Sequence, residues 1–124
     1  MDTIQHIDDL TVDNLKRIAV ARAGLTDFGP NQFEIALGQL TDAMRSEAQL
    51  SSQGLTMQSE RILNSLNNRL RKQAFLTKHP EIQDEQIKVS AIIIGLPRTG
   101  STMFHRLLAS NPRFTATYWW ETMF

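Results

Sequence analysis

Apolar residues follow two different rhythms along this chain. Between Thr11 and Lys78 they recur every three or four positions, the period of helices with one buried face. Between Val89 and Ile94 they run almost unbroken, Val-Ser-Ala-Ile-Ile-Ile, as in a parallel strand covered on both sides. The first rhythm predicts three helices. Met1 to Leu10 is short and acidic and reads as a loose leader. Thr11 is an N-cap for a helix to about Ala23, with Leu15, Ile18 and Arg22 in helical spacing and Gly24 as its stop. Asp27-Phe28-Gly29-Pro30 is a turn in which Asp27 accepts from nearby N–H groups and Pro30 takes the first helical position. A second helix is expected over about Pro30 to Leu50, with Phe33, Ala36, Leu37, Leu40, Met44 and Ala48 on its inner face. Ser51 to Gly54 breaks the pattern. A third helix is expected over about Thr56 to Lys78, with Ile62, Leu63, Leu66, Leu70 and Ala74 inward, and His79-Pro80 ends it. Glu81 to Lys88 is polar, holds at most a short helical turn, and marks the boundary between an N-terminal helical subdomain (1–86) and the start of a second domain (87–124).

The second rhythm leads into a glycine-containing turn, Gly95-Leu96-Pro97-Arg98-Thr99-Gly100, and then into an amphipathic segment beginning Ser101-Thr102. Strand, Gly-rich loop and helix in that order make a site for anions, because small residues let successive backbone N–H groups at a helix start point at one phosphate-like group. The spacing comes within one residue of the nucleotide-triphosphatase loop, but Ser101 stands where that loop has its Lys. Without the Lys that reaches the terminal phosphates, ordinary triphosphate chemistry is disfavoured, and the positive charge sits instead at Arg98. A strand buried on both faces needs neighbours. Phe114 to Tyr118 is too short to be more than a marginal second strand, so the chain is expected to be the N-terminal part of a longer α/β protein of parallel strands joined by helices.

Composition narrows the field only a little. The 124 residues carry thirteen basic and thirteen acidic side chains, so no net charge drives the chain toward nucleic acid or an anionic membrane, and anion recruitment must be local. With no Cys there are no disulfides, thiolate metal sites or thiol nucleophiles. No apolar stretch reaches the roughly 20 residues of a membrane span, and Met1 to His6 lacks the basic-then-apolar start of a secretory signal, so a cytoplasmic location is expected.

The loop and its surroundings resemble the sulfotransferases that use 3′-phosphoadenosine 5′-phosphosulfate (PAPS). Gly95 to Thr102 is similar to their 5′-phosphosulfate loop in its Pro-Arg form, and the likeness continues through His105-Arg106-Leu107-Leu108-Ala109, Asn111-Pro112-Arg113-Phe114, Trp120-Glu121 and, upstream, Leu25 to Gly29. The resemblance is nearest to bacterial sulfotransferase-like proteins with a helical N-terminal half. It implies a P-loop (nucleoside triphosphate hydrolase-like) α/β fold, of which these residues hold the N-terminal helices, the first parallel strand and the helix after it. It also implies PAPS as co-substrate, no obligatory metal, and a hydroxyl or amine acceptor on a small molecule or lipid.

On that resemblance, the N–H groups of Thr99, Gly100, Ser101 and Thr102 and the hydroxyls of Ser101 and Thr102 cradle the phosphosulfate. Arg98 stabilises charge on the departing phosphate. Glu121 or His105 takes the acceptor's proton, Glu121 being the better candidate and His105 better suited to orienting the loop or sheet. The family's Arg and Ser pair for the 3′-phosphate and its C-terminal Gly-rich nucleotide segment are not in these residues, which implies that this stretch alone is inactive. Two other readings stay open: a phosphotransferase with a degenerate loop, and a non-enzymatic module whose first three helices serve dimerisation or partner binding beside a relic loop. Arg69, Arg71, Lys72 and Lys78 form a basic cluster that either draws in anions or is a solvated helix face, the commoner case.

Overall fold

The computed structural model describes residues 3–96, 98–118 and 121. The chain divides into two compact units, Met1–Asp84 and Glu85–Phe124.

In the first unit Thr11 caps α1 (Val12–Ala23) by accepting the Asn14 N–H at 3.3 Å, and Gly24, left-handed at φ 65°, ends it. α2 spans Phe33–Ser46, starting later than Pro30 and ending before Leu50. Pro30 is therefore outside the helix: its carbonyl and that of Phe28 each accept a 2.7 Å hydrogen bond from the Arg69 guanidinium, which also lies 4.1 Å from the Phe33 ring centre. The fork holds the turn by its backbone and removes Arg69 from the expected basic cluster. Within that turn Asp27 accepts the Gly29 N–H at 2.7 Å, as expected. Gly29 has φ 68°, and a Cβ there would stand 2.7 Å from Gln73 Oε1, so both conformation and the approach of the third helix call for glycine.

That helix, α3 (Ser52–Lys78), begins four residues before the expected Thr56 because Ser51, placed in the predicted break, is itself the N-cap and accepts the Gly54 N–H at 3.1 Å. A 3₁₀ turn, Pro80–Asp84, comes after it.

α1 packs mainly on α3 and more lightly on α2. Leu15, Ile18 and Ala19 of α1 meet Leu55, Ile62, Leu63, Leu66 and Leu70 of α3, with Leu37 and Phe28 closing the core. On α2 the inward face is narrower than predicted: Leu37 and Thr41 are buried and Phe33 and Met44 pack on the core, but Ala36, Leu40 and Ala48 are exposed. Thr41 is buried without cost in unpaired polarity, since its hydroxyl donates to the Gly38 carbonyl at 2.9 Å. The leader is not loose. Ile4 and Leu10 are fully buried in the same core, on either side of a 3₁₀ turn at Ile7–Asp9. Two ion pairs tie the helices together, Lys16–Glu34 at 2.6 Å between α1 and α2 and a two-pronged Arg22–Glu60 pair at 2.8 Å between α1 and α3.

The second unit holds α4 (Ser101–Ala109). The expected strand is not formed: among the described residues there is no β-strand, and Val89, Ile92 and Ile94 are 65%, 77% and 91% exposed instead of covered on both faces. A strand exists only through the hydrogen bonds of a neighbour, and none of the described residues supplies one; Phe114 to Tyr118 does not pair either.

Candidate functional site

The loop before α4 has a left-handed residue on either side of Thr99. Arg98 has φ 64°, Thr99 has negative φ, and Gly100 has φ 83° and ψ 6°. Left-handed residues in a short loop re-aim the N–H groups beside them, a feature that anion-binding loops also use. Gly100 is also the N-cap of α4 and offers no side-chain acceptor. The first intrahelical bond it supports is Phe104 N–H to Gly100 C=O, 3.0 Å, and among the described residues no carbonyl takes the N–H groups of Ser101, Thr102 and Met103. Exposed N–H groups at the positive end of the helix dipole favour a bound anion.

The loop is closed by its own side chains. Thr99 Oγ1 donates to the Leu96 carbonyl at 2.7 Å. A Cβ on Gly95 would lie 2.9 Å from that same oxygen and 3.8 Å from Ser101 Cβ. Arg98 is exposed and forms no ion pair or hydrogen bond with the described residues, so its guanidinium is available to a ligand.

Beside the loop lies an open cleft of about 1040 Å³. One wall is a stripe of α4, Ser101, Thr102, His105, Arg106 and Ala109, residues that share a face because they are three, four or a turn-multiple apart; the other is Phe114 to Tyr118, with Ile93 beside it. Two expected donor-binding side chains, Ser101 and Thr102, thus reach the cleft, whereas Arg98, Thr99 and Gly100 lie in the loop at its edge and do not line it. His105 is half-buried in the wall. Glu121 is not part of the lining: one of its carboxylate oxygens accepts the Tyr118 N–H at 2.6 Å, while its own N–H donates to the Tyr118 carbonyl at 3.0 Å. Pro97, Trp119 and Trp120 lie outside the described residues. Nothing in the sequence singles out Thr115 and Thr117 as cleft residues. Arg106 lines the cleft, four and five residues after Thr102 and Ser101.

No family model matches the chain, and no curated protein matches it. Two solved structures do. The sulfotransferase STF1 of Mycobacterium tuberculosis H37Rv is 36% identical, with a TM-score of 0.84 over 96% of this chain and 33% of that one. The sulfotransferase STF9 of Mycobacterium avium is 25% identical, with a TM-score of 0.80 over 99% of this chain and 30% of that one. The chain therefore spans about a third of the length of the solved structures it matches. The likeness runs through the helical unit and the loop alike, which is more than a shared turn, and it supports a sulfotransferase-like family for this chain.

Proposed function

We propose that this chain carries the 5′-phosphosulfate site of a sulfotransferase that moves a sulfuryl group from PAPS to a hydroxyl or amine acceptor on a small molecule or lipid. The observation that supports this most is the loop with left-handed Arg98 and Gly100 running into the uncapped start of α4, in a chain 36% identical to a mycobacterial sulfotransferase. The residues present fit such a donor. The N–H groups from Thr99 to Thr102 and the hydroxyls of Ser101 and Thr102 bind the phosphosulfate oxygens, and Arg98 meets the negative charge that grows on the bridging oxygen as the S–O bond breaks. The new bond forms from the acceptor's oxygen or nitrogen to sulfur, and the leaving group is adenosine 3′,5′-bisphosphate. Glu121 takes the acceptor's proton on the carboxylate oxygen that Tyr118 leaves unoccupied.

Calorimetry on the 124-residue chain tests the donor site. Adenosine 3′,5′-bisphosphate is expected to bind without magnesium, and Arg98→Ala to weaken it at least about tenfold, the scale of one charge-assisted hydrogen bond, with the helical unit's melting temperature unchanged. Magnesium-dependent preference for ATP would replace this reading with a phosphotransferase, and binding of neither nucleotide would leave a helical interaction module. In a form of the protein competent for sulfuryl transfer, Glu121→Gln is expected to lower kcat by about a hundredfold or more with little change in the donor's KM; full turnover in that variant removes Glu121 as the base.

A further inference from the structure

We infer that Thr99 is the positioning residue of this loop, acting through a clasp on the Leu96 carbonyl for which Gly95 is the necessary socket. The inference rests on the reading of the loop as an anion site and adds a division of labour among its three hydroxyls.

A hydroxyl has a single proton to donate. Thr99 commits its proton to the Leu96 carbonyl at 2.7 Å, so it has none for a ligand oxygen, whereas Ser101 and Thr102 have hydroxyls with no partner among the described residues and both line the cleft. Three identical-looking donors in the sequence therefore separate into two that face a ligand and one that faces the loop. The clasp answers two problems that an anion loop creates. A carbonyl beside the site repels an anion, and the Thr99 hydroxyl occupies that oxygen's lone pair. One of the two residues within the clasped turn, Arg98, carries a Cβ in the left-handed region at φ 64°, a conformation that a side chain disfavours and that persists only where neighbouring contacts hold it. A bond from Thr99 back to Leu96 spans Arg98 and holds it, leaving the guanidinium itself uncommitted.

Gly95 acquires a specific reason from this geometry. It is not in the left-handed region, so its φ does not demand glycine. What demands it is space: a Cβ would stand 2.9 Å from Thr99 Oγ1, closer than carbon and oxygen approach without something moving, and the hydroxyl that would move is the one making the clasp. Gly95 and Thr99 thus act as a unit, and variants of the two should not add.

The experiment is a double-mutant cycle on the 124-residue chain, with adenosine 3′,5′-bisphosphate binding measured by calorimetry and a thermal melt of each variant to confirm that the helical unit is intact. Thr99→Ser, which keeps the hydroxyl, is expected to bind within about twofold of wild type, and Thr99→Ala and Gly95→Ala each to bind about tenfold more weakly. The double variant is expected to bind no more weakly than Thr99→Ala, because once the hydroxyl is gone the added methyl has nothing to displace. Wild-type binding in Thr99→Ala, loss in Thr99→Ser equal to that in Thr99→Ala, or a double variant about a hundredfold down would each overturn the clasp. If the wild-type chain does not bind the nucleotide at all, the donor-site reading fails by itself, and the clasp is read separately from amide resonances. In that case those of Gly100 and Ser101 should move in Thr99→Ala and Gly95→Ala but stay in place in Thr99→Ser, and unmoved resonances in both alanine variants sink it.

Discussion

At the scale of single residues, the chain uses its arginines in unlike ways, and the surroundings rather than the residue type decide which. Arg69 is consumed by two carbonyls and an aromatic ring, Arg22 by one carboxylate, and Arg98 by nothing among the described residues. Arg22 has a consequence for pH. Its hydrogen bonds, and secondarily its charge, hold the Glu60 carboxyl below the ordinary value of 4.5, against an opposing push from burial. A carboxyl whose folded pKa is depressed stabilises the fold above its unfolded pKa, and that contribution is lost as pH falls through the folded value. Glu60→Gln is therefore expected to lower stability in urea at pH 7, by about 1 kcal/mol or less because the pair is partly exposed and screened, and the deficit is expected to shrink progressively as pH falls below the ordinary carboxyl value of 4.5. A deficit that persists unchanged in acid would mean that packing, and not charge, is what the substitution removed.

Elements are legible in the sequence wherever a local signal and the burial pattern agree. Thr11 and Gly24 bound α1 as a hydroxyl cap and a left-handed stop should, and the stripe Ile62, Leu63, Leu66 and Leu70 is the buried face of α3. Boundaries fail where a residue has two plausible jobs: Ser51 reads as part of a break and is a cap, and Pro30 reads as a helix start and is an acceptor for Arg69. The leader escapes a sequence reading because Ile4, Ile7 and Leu10, three apart, sit in a short acidic stretch with no helix signal around them, yet Ile4 and Leu10 are 2% and 0% exposed. The strand misleads for the opposite reason, since a β-branched run favours a buried strand but does not make one without a partner. In the loop, glycine spacing and Arg98 are visible from sequence, whereas the inward use of the Thr99 hydroxyl is not, because Ser and Thr look alike until a carbonyl is placed beside one of them. The leader offers the sharper check. Leu10→Ala is expected to cost about 2–5 kcal/mol in denaturant unfolding, the range for a large-to-small change at a closed core site. A cost within about 0.5 kcal/mol, as at a surface position, would restore the loose leader.

For the whole molecule, the distribution of apolar surface separates what the chain can do alone from what it leaves open. Every buried apolar core residue among those described, from Ile4 to Leu70, lies in the unit Met1–Asp84. Of the fifteen large apolar side chains that are exposed among the described residues, ten lie in Glu85–Phe124, from Ile87 to Tyr118. The first unit therefore has the burial that makes folding cooperative, and the second holds apolar surface with little core of its own. A chain cut after Asp84 is expected to melt within a few degrees of the full chain and with the same sharpness, since every buried core residue described is kept; one kcal/mol would move a domain of this size by about 4–8 °C. The cut should also abolish most binding of an apolar fluorescent dye, because the removed segment carries Ile92, Ile94 and Leu96 at 77%, 91% and 76% exposure. Both readouts are needed, for they fail in different ways. A large drop in melting temperature would show that the second unit supports the first, and dye binding undiminished by the cut would show that Val89 to Leu96 is covered in the intact chain. Either result would relocate the phosphate loop from an open edge to a packed setting, where the clasp at Thr99 would no longer be the main constraint on its shape.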